Sequence, residues 1–176
     1  MKTVRKRLIS FLSVSVGGTT GEKIGNMMDK QAKEIEKTVP DAKVERVGEG
    51  IDVEFCSNDL FGSDASVLSG HAKNNLDKFV TILNSYADTD IEVQGYTGDE
   101  GTKSYNLFLS LSRVVSVSAY LSSMGIADSR VKIKGFGESV PKYDITTEEG
   151  RSQNRRVEFL ITANKKMKTE AAKEAK

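Results

Sequence analysis

Apolar residues recur along this chain with two periods. Ile51, Val53 and Phe55 alternate with Asp52 and Glu54, and the same period of two returns at Ile91 and Val93, at Val131 and Ile133, and at Val157, Phe159 and Ile161. Strand side chains point alternately to opposite faces, so each run predicts a strand with one buried face. Between the first two runs, Leu68, Ala72, Leu76, Phe79 and Leu83 follow helical spacing, flanked by Lys73, Asn74, Asp77 and Lys78. That is one apolar stripe on an amphipathic helix. A second helix is expected from about Ser104 to Ser123, burying Leu107, Leu111, Val114, Val115 and Leu121, with Gly125 closing its C-terminal end. The order is β-α-β-α-β-β. Helix-length crossovers between the first three strands favour an α/β (α+β) two-layer sandwich, and leave the direction of the last strand open.

These elements place a compact domain at residues 44–162. Residues 26–43 read as a linker helix, with Met28, Ala32 and Ile35 at helical spacing and Pro40 ending it. Residues 163–176 are rich in Lys, Ala and Glu with almost no apolar face, and read as a frayed helix or disordered tail. In residues 1–25, four basic residues between Met1 and Arg7 precede a mostly apolar run, Leu8 to Val16, which resembles the n- and h-regions of an export signal. Gly17, Gly21 and Gly25 then recur at the small-residue spacing of membrane-associated helices. An apolar run of this length falls far short of the ~20 residues that span a bilayer.

Charge and cysteine content narrow the chemistry. Lys plus Arg number 26 against 25 Asp plus Glu, so no overall field draws in nucleic acid or an anionic membrane, and recognition has to be local. One cysteine, Cys56, and one histidine, His71, supply neither an internal disulfide nor a structural zinc set. Arg151, Arg155 and Arg156 form a basic group without the aromatic set that nucleic-acid binding needs. No nucleophile with a base and no pair of catalytic carboxylates stands out, so no catalytic residue, metal or cofactor is assigned.

The stretch V-Q-G-Y-T-G-D-E-G-T-K-S-Y-N-L-F-L-S-L-S-R, from Val93 to Arg113, carries Gly95, Tyr96, Thr97, Gly101, Asn106, Leu109, Ser110 and Arg113 at spacings that resemble the signature of OmpA-like peptidoglycan-binding domains (OmpA/Pal/MotB-like). A second block supports this: Gly135-Phe136-Gly137-Glu138, Pro141, Glu149-Gly150-Arg151 and Asn154-Arg155-Arg156-Val157-Glu158. The resemblance implies a mixed four-stranded sheet, its last strand antiparallel, covered on one face by two main helices. It also implies a non-enzymatic domain in the periplasm or outer membrane of a Gram-negative bacterium. Its partner would be the peptide stem of peptidoglycan, and it would tie an envelope component or envelope protein to the wall.

The family's ligand residues carry over unevenly. Arg113 takes the place of the arginine that receives the carboxylate of diaminopimelate, where a guanidinium fork matches the two oxygens. Asn106 and Arg113, seven residues apart, fall within about 20° of one another on a helix, with Ser110 beside them, as a polar face. Leu109 matches an apolar contact, and Arg155 falls near the site. Asp64 is retained in the loop after the first strand, but Ser63 replaces an aromatic residue there. Gly98 replaces the aspartate that grips the ligand's ammonium, and Asp99 is the nearest substitute. Two readings follow from these departures: a wall anchor with weakened binding, or a degenerate domain that kept the fold as a structural or protein-interaction module.

Overall fold

A computed structural model describes residues 18–176; the apolar run read as an export signal lies outside them. The element order is α1 (Gly18–Thr38), β1 (Lys43–Val47), β2 (Gly50–Cys56), α2 (Ser57–Leu60), α3 (Gly70–Ser85), β3 (Thr89–Tyr96), α4 (Lys103–Ser123), a 3-10 turn (Asp128–Arg130), β4 (Val131–Gly137), α5 (Glu148–Asn154), β5 (Arg156–Ala163) and α6 (Lys165–Glu174). Side-chain caps start the helices: Ser69 accepts from the N–H of Ala72, Thr102 from Tyr105, Thr147 from Gly150 and Asn164 from Met167.

The sheet is mixed and has five strands, in the order β1-β2-β5-β3-β4. The expected four are all present. The fifth, β1, is a short charged edge strand with only partial burial, so its sequence carries no alternation to read. The final strand lies in the middle, antiparallel to both β2 and β3, while β3 and β4 are parallel. β2, β3 and β4 therefore run in one direction, and the segments that follow them emerge at one end of the sheet, where β5 begins.

Ile51, Val53, Phe55, Ile91, Val93, Val157, Phe159 and Ile161 form the buried face, under Leu76, Phe79 and Leu83 of α3 and Val114, Val117 and Leu121 of α4. Phe55, Phe79 and Phe159 meet with centroids 5.1–6.0 Å apart at steep angles, the edge-to-face arrangement aromatic rings favour. Leu68, expected on the α3 stripe, instead lies before the helix cap and bridges Phe61.

Three expectations need correction. α1 is not a linker from residue 26 but a 21-residue helix whose Ile24, Met28, Gln31, Ala32 and Ile35 are buried, giving the sheet a third covering helix. Arg46 fastens it to the β1–β2 hairpin, pairing with Asp29 and donating to the carbonyl of Gly25. The tail is likewise ordered as α6, which buries Met167 and Ala171 in the same core. The third concerns α4. Leu107, Leu111 and Val115 are exposed, whereas Asn106, Ser110 and Arg113 are buried. The polar face is the packed one because glycines lie beneath it. A Cβ on Gly95 would meet the Ser110 carbonyl oxygen at 2.7 Å, and one on Gly135 would meet Leu111 Cγ at 2.6 Å. With the backbones this close, a short hydroxyl fits where a leucine cannot, and Ser110 Oγ accepts from the Gly137 N–H at 2.9 Å.

Candidate ligand-binding site

The opposite face of the sheet is polar yet covered. One row across all five strands reads Lys43, Glu54, Glu158, Gln94, Lys134. Over its centre lies the segment 138–147, which brings Lys142 Nζ to 2.6 Å from Glu54, 3.6 Å from Glu158 and 3.7 Å from Asp52. Tyr143 donates its hydroxyl to Glu54. Asn154 holds this strap: its Oδ1 accepts from the N–H groups of Lys142 and Tyr143, and its Nδ2 donates to the Tyr143 carbonyl. Arg156, 1% exposed, pairs with Glu158 and lies 3.7 Å above the Tyr96 ring, which stacks on Phe136. Burial, and then the neighbouring Glu158, push the Asp52 carboxyl up to about 7. Burial opposes the Lys142 ammonium, but Glu158 and Glu54 outweigh it and hold its pKa above the ordinary lysine range.

The candidate ligand site is built where the segments after β2 and β3 and the start of β5 converge. α2 ends at Leu60, and Gly62 to Ala65 form a turn closed by the Ala65 N–H donating to the Gly62 carbonyl. Asp64 sits in this turn with φ +50°, a left-handed conformation that Asp tolerates better than most residues. Arg113 comes from the buried side of α4. Its Nε donates to the Ala65 carbonyl at 2.9 Å and its guanidinium lies 5.2 Å from the centre of the Phe61 ring. Burial lowers its pKa, and the charge of Asp64 opposes that shift. Since arginine ionises so far above neutrality, the group stays cationic. Its two terminal nitrogens have no acceptor among the described residues. A buried, oriented guanidinium with its fork free has the chemistry to receive an anion.

The other expected residues fall into separate places. Ser63 and Asp64 are exposed on the turn beside Arg113, and Leu109 is buried one turn before it on α4. Asn106 is 2% exposed and donates to Glu138, so its amide ties α4 to the end of β4. Asp99 is exposed and acts electrostatically on Arg151 rather than on Arg113. Gly98 faces Arg155: a Cβ there would lie 3.6 Å from its Cγ and 3.7 Å from its Nη1. Phe61 and the Ala65 carbonyl are the contacts that sequence reading missed. Phe61 was visible as an aromatic residue two positions before Ser63, but no spacing rule links it to an arginine 52 residues later.

The model of the OmpA family matches residues 60–155, more than half of the chain. The chain belongs to the OmpA family. Its match to Probable lipoprotein YiaD of Escherichia coli is 31% identical over 144 residues, covering 81% of this chain and 66% of YiaD. Outer-membrane lipoprotein YfiB of Pseudomonas aeruginosa is 32% identical over 115 residues, covering 65% of this chain and 68% of YfiB. Among solved structures, the peptidoglycan-associated lipoprotein of Burkholderia pseudomallei superposes with a TM-score of 0.54 at 27% identity, over 58% of this chain and 87% of that one. Within this OmpA-like chain the matched region runs from the end of α2 to the start of β5, and so contains every segment that lines the site. The chain spans about two thirds of the length of each of the two lipoproteins.

Proposed function

We propose that this OmpA-like domain binds peptidoglycan non-covalently, as a wall anchor for an envelope component facing the periplasm, and performs no chemistry on the wall. The observation that carries the reading is Arg113: buried to 5% exposure, fixed by the Ala65 carbonyl and the Phe61 ring, and still offering two terminal nitrogens. Such a group matches the carboxylate at the diaminopimelate end of a stem peptide. On this reading Asp64, exposed on the adjacent turn, accepts peptide N–H groups, and Leu109 backs the aliphatic part. Relatives named as a peptidoglycan-associated lipoprotein and as an outer-membrane lipoprotein support the assignment.

Calorimetric titration of the full chain with a diaminopimelate stem peptide tests this, run beside Arg113→Lys. Lysine keeps the charge but loses the fork and the fixed Nε bond, so affinity should fall about ten- to 150-fold, the cost of one charge-assisted hydrogen bond. Equal affinity in a folded Arg113→Lys variant would remove Arg113 from the role. Gly98 favours a second reading, in which the fold serves as an interaction module without wall binding. In that case the parent chain shows no heat with the peptide at any accessible concentration.

A further inference from the structure

The charge pattern around Gly98 goes further than the wall-binding reading on which it rests. The space a side chain at position 98 would enter is bounded by Arg155, whose guanidinium has no hydrogen-bond or ion-pair partner among the described residues. Arg155 is close enough to Arg113 for its charge to depress that residue's pKa. The site therefore holds two cations with unused donors. Of the carboxylates nearby, Asp64 acts on Arg113, Asp99 and Glu100 act on Arg151, and Glu148 feels the charge of Arg155 but spends its hydrogen bond on Arg151 at 2.7 Å. No carboxylate is placed at Gly98 itself.

We infer that this site reads the carboxylates of its ligand and leaves the neighbouring ammonium unread, with Arg155 as a second anion receptor beside Arg113. Two guanidiniums with unused donors, and no carboxylate hydrogen-bonded to either among the described residues, make a peptide end with two carboxylates the complementary ligand. An ammonium brought next to Arg155 meets a like charge and gains no charge-assisted bond. A free diaminopimelate end has both groups; a wall peptide whose side-chain amine is blocked or cross-linked retains the carboxylates alone. The site takes both forms.

The test is a set of titrations of the full chain with the stem tripeptide, with the same peptide acetylated on its side-chain amine, and with the peptide amidated at its side-chain carboxylate. Acetylation should change the Kd less than about threefold, whereas amidation should weaken it by about tenfold or more, and Arg155→Gln should weaken the free peptide by a similar factor. Gly98→Asp, whose Cβ makes only ordinary contacts, should bind the free peptide more tightly than the parent and discriminate against the acetylated one. A parent chain that loses tenfold on acetylation overturns the inference while leaving wall binding intact. Unchanged affinity in Arg155→Gln overturns the part given to Arg155. A parent that binds no peptide, beside a Gly98→Asp variant that does, overturns both this inference and the wall-anchor reading.

Discussion

At the scale of single residues, this protein uses polar side chains where a simpler two-layer fold would use apolar ones. Ser110, Asn106 and Arg113 all point inward from α4, and each has a separate reason: Ser110 fills the narrow gap over the glycines, Asn106 ties down Glu138, and Arg113 reaches the Ala65 carbonyl. Gly95→Ala tests the tight seat directly. The added methyl would lie 2.7 Å from a helix carbonyl oxygen and 2.8 Å from Val114 Cγ1, neither able to swing away, so a loss of about 1–3 kcal/mol is expected from urea denaturation. A midpoint unchanged from the parent would mean that the helix rides higher on the strand than described. The same crowding explains why α4 was misread from its sequence. Its leucines and valines follow helical spacing, and periodicity alone assigns them to the core. What overrides it is the row Gly95, Gly135 and Gly137, three residues with no side chain to pack, scattered over two strands. Arg113 itself was legible, because the motif spacing names it without any knowledge of which face is buried.

At the scale of elements, the strap over the outer face of the sheet is the least expected feature. Asp52 and Glu54 sit at the polar positions of an alternating strand and read as solvent-facing, yet both are buried beneath Lys142 and Tyr143. No local pattern announces this, since the covering segment comes 90 residues later and is held by the Asn154 amide together with the contacts of Lys142 and Tyr143 to Glu54. The consequence is measurable through pH. Asp52 has a folded pKa raised to about 7, with Lys142, Glu54, Glu158 and Arg156 facing it, while an unfolded aspartate titrates near 3.9. Between these values the folded chain holds a proton that the unfolded chain has released. The stabilisation is complete below about pH 4 and is lost as the pH rises through about 7. Urea midpoints of the parent should therefore fall from pH 5 to pH 8 more steeply than those of Asp52→Asn. Parallel profiles would show that Asp52 is ionised throughout.

At the scale of the whole molecule, the four strands and two main helices expected from periodicity form the centre, and the parts thought peripheral complete the core. α1 covers one side of the sheet and α6 packs against it, with Lys23 and Glu174 pairing 3.1 Å apart at the surface. Their stripes were faint because α1 begins among glycines and threonines, and because α6 offers only Met167 and Ala171 in a run of lysines. Removing α1 by starting the chain at residue 44 opens the core it shares with the sheet and strips away six buried residues, the five of α1 and Val39. Deleting even one large buried side chain typically costs about 2–5 kcal/mol, a large share of a domain's ~5–15 kcal/mol. The truncated chain should show a much lower urea midpoint or no cooperative transition; a midpoint like the parent's would return α1 to the status of a linker. Residues 44–162 are thus the matched region and its surroundings, but the folded unit is larger.

The most direct check of the central claim is co-sedimentation of the full chain with purified peptidoglycan sacculi, in the presence and absence of excess diaminopimelate stem peptide. The account predicts that the parent chain pellets with the sacculi, that free peptide releases it, and that Arg113→Lys stays largely in the supernatant. A parent chain that remains in solution at every concentration, while folded, would contradict it.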